Sequence, residues 1–344
     1  MRTREYGGID YFRLTAALMV IAIHVAPFAS WNKTADYLIT CCLGRVAVPF
    51  FFMTTGYFTL APYIHSRGQR KKPVLRFIIK NILLYITVTL CYLPLTIYSG
   101  NLPKGIAGWI KWLVFDGTFY HLWYFPAALI GCVLLMYLTK PSAYLALAFS
   151  VPAYIIGVMG DSWYGVIKSY PIPHDFYDGI FTISSYTRNG IFFAPIFLLT
   201  GALLAYTRYH CPDRTCYIGL AVSLLCMLLE GFLTYSLKLQ QHNSMYFSLL
   251  PVMYFLFQLL LRTQGKAPGW IRKSSMLVYI IHPAVIILLR GIAKAAKLSN
   301  ILIDNNFIQY LCVCALSFGI VCLGQYLKSE RRSLCTRKDV RGLN

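Results

Sequence analysis

The chain has 344 residues, of which 58% are hydrophobic and only 13% are charged. Soluble domains carry about 25% charged residues, so this composition excludes an ordinary soluble protein and indicates a membrane protein. Apolar runs of about twenty residues recur along the chain, whereas the strands of a membrane barrel would show alternation over about ten residues. The sequence therefore predicts an all-α integral-membrane bundle.

The basic excess is the second feature of the composition. The chain has 32 Lys and Arg against 12 Asp and Glu, for a formal net charge of +20. In a soluble protein this charge would indicate nucleic-acid binding. In a helical membrane protein it marks the cytoplasmic loops instead. The positions of the basic residues decide between these two interpretations.

Ten apolar segments, separated by charged or Gly-, Pro- and Asn-rich breaks, are predicted to cross the membrane. With a cytoplasmic N-terminus, the inner loops hold twenty Lys and Arg, including Arg2, Arg4 and Arg208, and the outer loops hold eight. This asymmetry predicts a multi-pass plasma-membrane protein with both termini in the cytoplasm and no nucleic-acid partner. The predicted segments are 11–29, 42–61, 77–98, 122–139, 143–160, 189–206, 217–236, 246–261, 275–290 and 307–326.

The two ends of the chain carry predictions of their own. Arg13 and His24 interrupt the first apolar run, so we interpret it as a membrane span and not as a cleaved signal peptide. Residues 1–328 are predicted to form one transmembrane domain, followed by a basic, irregular cytoplasmic tail or linker at 329–344. No metal site is expected, because Cys211 and Cys216 would need two further ligands at suitable spacing.

Ionisable side chains inside apolar segments are costly and usually functional. Arg13 and His24 are eleven residues apart on the first segment. On an α-helix this spacing is about 20° more than three full turns and about 16 Å along the axis, so both side chains share one face. Snorkelling of Arg13 and an interhelical hydrogen bond of His24 are the simplest structural explanations.

The pair is accompanied by polar residues from several other segments, all near their predicted outer ends. Each one alone has a structural explanation, such as an interfacial aromatic belt for Trp123 or a helix contact for Glu230. Their common depth predicts a functional polar chamber. The residues are Arg45, His121, Trp123, Asp161, Arg188, Asn189 and Glu230.

The cytoplasmic side is basic in character. Arg76 and Lys80 open the third segment, Arg272 and Lys273 precede the ninth, and Arg13 lies at a similar depth. Such a cluster suits a phosphate-rich ligand, although anionic lipid and the positive-inside rule also explain loop charges. The ninth segment continues to His282 and Pro283, and the proline frees a backbone carbonyl where a pocket can form.

Several of these motifs carry a family resemblance. Arg13 and His24 on the first segment, FFMTTGYF on the second, HLWY before the fourth and YIIHP on the ninth resemble the integral-membrane acyltransferase-3 family over essentially the whole chain. The segments RVAVPFFFM, YHLWYFPA, GDSW, TRNGIFF and HNSMY are similar to the membrane domain of the VanT-type serine/alanine racemases of vancomycin resistance. Those proteins continue into a cytoplasmic pyridoxal-phosphate racemase domain. A racemase domain beyond this chain is thus an implied partner, and racemase activity is not assigned to these residues.

The resemblance implies transfer of an acyl group, expected to be acetyl, from cytoplasmic acyl-CoA to a hydroxyl or amine acceptor at the outer face. His24 and Arg13 match the family's catalytic-helix pair, and Arg76 and Lys80 match two positions that are often arginines. A neutral His24 imidazole would act as general base. Donors to the thioester oxyanion are expected from Arg45, His121, Trp123 or Asn189, with Glu230 orienting a histidine or binding a cationic acceptor. In the enzyme, Asp161 and His282 are also expected to line the substrate site, with Arg45, Trp123, Arg188 and Asn189.

Two other functions stay open. In a carrier for a small amino acid such as L-serine, Arg45 or Arg188 would bind the carboxylate and Glu230 the ammonium group. A non-catalytic domain would only anchor a partner. Membrane lipid and a small-molecule acceptor, either serine or a cell-envelope component, are the other expected partners. The sequence contains no visible repeat of the kind common in transporters, which favours the enzyme.

Overall fold

The computed structural model describes residues 5–207 and 211–341, which are helical with connecting turns and loops and contain no β-strand. The all-α prediction is confirmed. The chain divides into two compact units. Unit 1 comprises the described part of Met1–Ile9 together with Cys41–Gly265, and unit 2 comprises Asp10–Thr40 and the described residues from Lys266 onward.

Eleven longer helical segments make up most of the described chain. Short helical pieces lie between them at Gly105–Ile110, continued by a π-turn at Lys111–Asp116, and at Tyr164–Ile167 and Ser299–Leu302. The longer helices are α1 (Gly7–Val25), α2 (Lys33–His65), α3 (Lys72–Tyr98), α4 (Tyr124–Leu138), α5 (Ala143–Met159), α6 (Pro171–Ile183), α7 (Ala194–Leu204), α8 (Asp213–Ser236), α9 (Leu249–Arg262), α10 (Gly269–Ala295) and α11 (Asn306–Arg341).

Each of the ten predicted segments overlaps one of these helices. Six helical segments within the described residues are long and apolar enough to cross a membrane, namely α1, α2, α3, α8, α10 and the Asn306–Lys328 part of α11. Helices α4, α5, α7 and α9 are apolar but shorter. The ten-span topology and the cytoplasmic termini therefore stay predictions, and Arg2, Arg4 and Arg208 of the charge count lie outside the described residues.

Close packing of helices in unit 1 depends on glycine. A Cβ atom on Gly56 of α2 would lie 2.0 Å from the carbonyl oxygen of Leu198 in α7. A Cβ atom on Gly201 of α7 would lie 2.2 Å from the carbonyl oxygen of Met53 in α2. Small residues let helix backbones approach directly, which is the usual packing device in an apolar medium. Helix α2 is also interrupted by π-turns at Tyr37–Cys42 and Gly56–Leu60.

Unit 2 has its own apolar core, built by α1, α10 and α11. Residues of α1 spaced four apart lie on one face, as an α-helix requires. They pack against valines, isoleucine and leucine of the other two helices. This packing aligns α1 with α10 and so fixes the polar residues that these two helices carry. The core residues are Ala17, Ile21, Val25, Val278, Val285, Ile286, Leu289, Val313 and Val321.

The prediction of an irregular tail is wrong for the residues that the structure describes. Helix α11 continues past the apolar region to Arg341, so 329–341 are helical. The reason is local, because this stretch has four arginines, which favour helices, and no Gly or Pro to interrupt it. Residues 342–344 lie outside the described residues. The proposed boundary at 328 stays a prediction.

The topology is testable by cysteine labelling. Lys33, Lys168 and Lys238 are exposed, and each, when changed to Cys, should react with a membrane-impermeant maleimide added outside intact cells. Lys71→Cys should react only after the membrane is opened. Unmodified protein provides the background from the native cysteines. Labelling of Lys71→Cys in intact cells, with protection of the other three, would reverse the orientation.

Candidate functional site

Helices α1 and α10 place three charged residues together in unit 2. The Asp10 carboxylate accepts hydrogen bonds from Arg272 Nε at 2.8 Å and Arg272 Nη2 at 2.6 Å. Arg13 Nε lies 3.6 Å from Asp10 Oδ1, one turn along α1. The Asp10 side chain is buried, whereas Arg272 is largely exposed. These residues, called the Asp10 triad below, carry two positive charges and one negative charge.

The same two helices bring a pair of histidines together. The rings of His24 and His282 are stacked, with centroids 5.3 Å apart and planes inclined by 22°. His282 is fully buried, and its Nδ1 lies 3.2 Å from the carbonyl oxygen of Val278. Pro283 lies inside α10 and has no N–H, so the carbonyl of Tyr279 loses its usual helical donor. Arg13, through Asp10, and His24 therefore both face α10.

In unit 1, a buried carboxylate holds the loop before α9. Asp161 Oδ1 accepts hydrogen bonds from the backbone N–H groups of Ser244 at 2.6 Å and Met245 at 3.0 Å. The Asp161 carbonyl accepts from the N–H groups of Gln241 at 2.9 Å and His242 at 3.3 Å. Asp161 lies two residues after the last residue of α5, so it connects the end of that helix to the segment 241–245.

Two arginines reach this segment. Arg188 Nη1 donates to Ser244 Oγ at 2.8 Å, and Arg45 Nη2 donates to Asn243 Oδ1. The Arg188 guanidinium also lies over the ring of Trp123, 5.2 Å from its centroid. Four of the seven residues predicted to line a polar chamber thus lie close together in unit 1. The paired-arginine cluster consists of Arg45, Trp123, Asp161, Arg188, His242, Asn243 and Ser244.

Burial and neighbouring charge shift the ionisation of this cluster. Burial raises the pKa of Asp161 to about 6, against the lowering effect of the Ser244 and Met245 N–H groups and the arginines. Burial, followed by repulsion from Arg45, lowers the pKa of Arg188 to about 10. Burial and then Arg188 lower the pKa of His242 to about 4. At neutral pH the cluster therefore presents two guanidinium groups, one mainly ionised carboxylate and a neutral imidazole, and the net positive charge suits an anion.

Three buried polar atoms of the cluster have no hydrogen-bond partner among the described residues. They are Asp161 Oδ2, Arg45 Nε and Arg188 Nε. A buried polar atom left unsatisfied costs about 1–3 kcal/mol, so such atoms are rare in native structures unless water or a ligand reaches them. The cluster therefore has unused capacity both to donate and to accept hydrogen bonds.

Glu230 has a structural explanation that the sequence did not indicate. Its Oε1 accepts from Trp163 Nε1 at 2.9 Å and from the Phe247 N–H at 2.8 Å, and its Oε2 accepts from the Ser248 N–H at 2.9 Å. The carboxylate thus satisfies backbone donors at the start of α9. Orientation of a histidine or binding of an ammonium group would compete with these three bonds.

The Asn189 side chain is likewise held by hydrogen bonds to its neighbours in the sequence. Its Oδ1 accepts from the N–H groups of Ile191 at 2.9 Å and Phe192 at 3.1 Å. Its Nδ2 donates to the Tyr186 carbonyl at 3.0 Å and to Ser184 Oγ at 3.3 Å. Both ends of the amide therefore shape the turn that leads into α7, and donation to a reacting oxyanion would require this turn to open.

The remaining predicted residues lie elsewhere in their units. His121 is buried, with its ring against those of Tyr92 at 5.2 Å and Tyr120 at 5.6 Å. Arg76 and Lys80 are exposed one turn apart on α3, and Lys273 is exposed next to Arg272 on α10. The prediction that His24 shares a chamber with Glu230, Arg188 and His121 joins residues of different units and stays a prediction.

The sequence interpretation missed four residues of these two sites. Asp10 precedes Arg13 by three positions, a spacing at which opposite charges meet on a helix, and this signal was available. His242, Asn243 and Ser244 open the HNSMY segment that carries part of the resemblance, but this loop has no periodicity to indicate which way its side chains point, so no role was assigned to them. Their contacts with Arg45 and Arg188 span more than fifty positions of the sequence.

Two of the three shifted groups of the paired-arginine cluster, Asp161 and His242, titrate between pH 4 and 7 and predict opposing effects of pH on stability. Asp161 has a higher pKa in the folded state than in the unfolded state. Its contribution to the free energy of unfolding therefore falls as pH rises from about 4 to about 6. His242 has a lower pKa in the folded state than in the unfolded state. Its contribution to the free energy of unfolding therefore falls as pH decreases from about 6.5 to about 4. Relative to wild type, Asp161→Asn should make thermal stability rise more steeply with pH, and His242→Gln should make it fall more steeply.

Thermal unfolding of the detergent-solubilised protein between pH 4 and 7 measures both slopes. His174→Gln is the matched control, since this exposed histidine lies on α6 outside the cluster. Parallel curves for all four proteins would contradict the assigned shifts.

Comparison with known proteins was consistent with the motifs. A family model described as an acyltransferase domain, of the acyltransferase-3 type, matches residues 6–325. An amino-acid racemase of Enterococcus faecalis is 39% identical over 98% of this chain, and a second one is 37% identical over 96%. A serine/alanine racemase of Enterococcus gallinarum is 37% identical over 92% of the chain. The chain spans about half the length of these curated relatives, 45–47% of each.

No solved structure matches the chain significantly. The resemblance to the acyltransferase-3 family and to VanT-type serine/alanine racemases is confirmed. The family model covers the Asp10 triad, the histidine pair and the paired-arginine cluster alike. The chain is therefore a member of the acyltransferase-3 family of membrane proteins.

Proposed function

We propose that this protein transfers an acyl group, acetyl in the simplest case, from cytoplasmic acyl-CoA to a hydroxyl or amine acceptor at the outer face of the membrane. The observation that carries the proposal is the arrangement along α1. Cationic side chains gather around Asp10 near one end of this helix, and His24 is stacked on His282 near the other. Membership of the acyltransferase-3 family supports the same reaction class.

The cationic end suits the phosphates of CoA. Arginine binds phosphate through several charge-assisted hydrogen bonds, and Arg13 and Arg272 are two arginines in one place. The eleven residues from Arg13 to His24 correspond to about 16 Å of helix. An extended pantetheine arm lying along α1 would bring the thioester toward His24.

His24 is the proposed general base. Its imidazole nitrogen takes the proton of the acceptor O–H or N–H while the acceptor atom forms a bond to the acyl carbon. The carbon–sulfur bond then breaks, and the CoA thiolate leaves and is protonated. The stacked ring of His282 limits rotation of His24 and so favours one orientation for proton transfer.

Substitution of His24 tests this role. His24→Ala should lower the rate of acetyl transfer by roughly 10²- to 10⁴-fold, the usual contribution of a general base, with little change in acetyl-CoA binding. Transfer from radiolabelled acetyl-CoA by the full chain in nanodiscs measures the rate, and calorimetry measures binding. His174→Ala is the control. Equal activity of His24→Ala and wild type would exclude His24 as the base, and lack of saturable acetyl-CoA binding by wild type would refute the proposed function.

Recognition of a small amino acid is the second candidate function, and the paired-arginine cluster favours it. Two guanidinium groups suit a carboxylate, and buried Asp161 Oδ2 suits an ammonium group better than Glu230 does, because Glu230 already accepts three hydrogen bonds. The similar Enterococcus proteins are named as amino-acid and serine/alanine racemases. In this alternative, the domain delivers L-serine to a racemase domain in the cytoplasm.

The carrier alternative predicts a different sensitive residue. Arg188→Gln should weaken L-serine binding by roughly tenfold or more, because a charge-assisted pair with the carboxylate is lost. Uptake of radiolabelled L-serine into proteoliposomes and equilibrium binding measure the effect. Arg262→Gln is the matched control, since Arg262 pairs with the exposed Asp213 in the same unit. Absence of L-serine binding by wild type would refute the carrier, and absence of both activities would favour the non-catalytic anchor.

A further inference from the structure

Asp10 is the one member of its triad to which the proposed mechanism gives no part. It is a buried carboxylate on α1, and the acyl-transfer chemistry needs no acid at this position. Its side chain is 5% exposed, whereas that of Arg272, which it binds, is 60% exposed. An arginine with this exposure is solvated by water and needs no buried counterion. The pairing instead stabilises the buried carboxylate, so what requires an explanation is the presence of Asp10 at this position.

The geometry of the bond fixes the arginine. Arg272 donates through both Nε and Nη2 to the two carboxylate oxygens, which is the side-on bidentate arrangement. This arrangement sets the plane of the guanidinium as well as its position. Arg13 Nε lies 3.6 Å from the same Oδ1, so a single carboxylate holds two guanidinium groups from two helices.

Electrostatics keeps the triad attractive to anions. Two guanidiniums and one carboxylate leave a net charge of about +1. Repulsion between the arginines would otherwise separate them, and Asp10 compensates for it. Arg272 and the 24% exposed side chain of Arg13 are both accessible to a solute. Ordering a long side chain in advance removes an entropy cost of about 1.5–2 kcal/mol from the binding step.

We infer that Asp10 is a positioning residue that arranges Arg13 and Arg272 as a receptor for the phosphate groups of the acyl donor. This inference rests on the proposed function. It assigns the donor's phosphates to the Asp10 triad and gives the buried carboxylate a part in recognition of the donor, and none in the transfer step.

A comparison of two acyl donors tests the inference. Acetyl-CoA carries phosphates, whereas S-acetylpantetheine has the same thioester and arm without them. For the full chain in nanodiscs, Asp10→Asn should raise the KM for acetyl-CoA by roughly tenfold, the effect of weakening a charge-assisted contact. The KM for S-acetylpantetheine and the kcat with either donor should change little. A purely structural role would alter the kinetics with both donors equally.

Asp213→Asn is the matched control, because Asp213 also pairs with an arginine, Arg262, but in unit 1. It should leave both KM values unchanged. If Asp10→Asn folds poorly, Arg272→Lys provides a second variant, since lysine keeps the charge but cannot make the bidentate contact. The same selective loss is expected for it.

Three results would overturn the inference. One is an equal change in KM for both donors. Another is a decrease in the KM for acetyl-CoA, which would make Asp10 a competitor of the phosphates. The third is no change in either variant. Calorimetry of CoA and pantetheine binding distinguishes failure of this inference from failure of the proposed function. If the wild type binds CoA but transfers no acetyl group, the effect of Asp10→Asn on CoA binding still tests the inference.

Discussion

The polar part of unit 1 depends on the hydrogen bonds that the buried Asp161 carboxylate accepts. Placed at the end of α5, it accepts two backbone N–H groups of the segment that leads into α9. A buried carboxylate is costly unless such donors surround it, so this segment has little freedom to move. Its fixed position presents Asn243 and Ser244 to Arg45 and Arg188.

The same physical arrangement recurs in both units. Glu230 fixes the start of α9 through two backbone N–H groups and an indole N–H, and Asp10 fixes two arginines between α1 and α10. The chain has only 12 acidic residues, and these three are largely buried and hold polar groups in place. Acidic residues thus hold the polar groups of these sites in place, whereas the abundant cations give the sites their positive charge.

The unit 2 helices combine these effects along a single axis. An apolar face of α1 packs against α10 and α11, and the same alignment brings Asp10 to Arg272 and His24 to His282. The Asp10 triad, which we propose as the phosphate receptor, and His24, which we propose as the base, are therefore both held by one packing interface. Changes in that interface would alter both together, which is why substitutions of the polar residues themselves are the more informative experiments.

The sequence by itself determined the helical membrane class, the approximate positions of the helices and the family, because apolar run length and short motifs are local properties. It also placed Arg13 and His24 on one helix face, since that follows from the helical repeat. The tertiary structure decided the rest. Asp10, Asn243 and Ser244 emerged as partners, and Glu230 and Asn189 proved to be held by backbone groups, because hydrogen bonds between residues distant in sequence depend on how the helices pack. The helix at 329–341 is different, because it depends on local sequence and not on packing: four arginines and the lack of Gly and Pro already favoured a helix there.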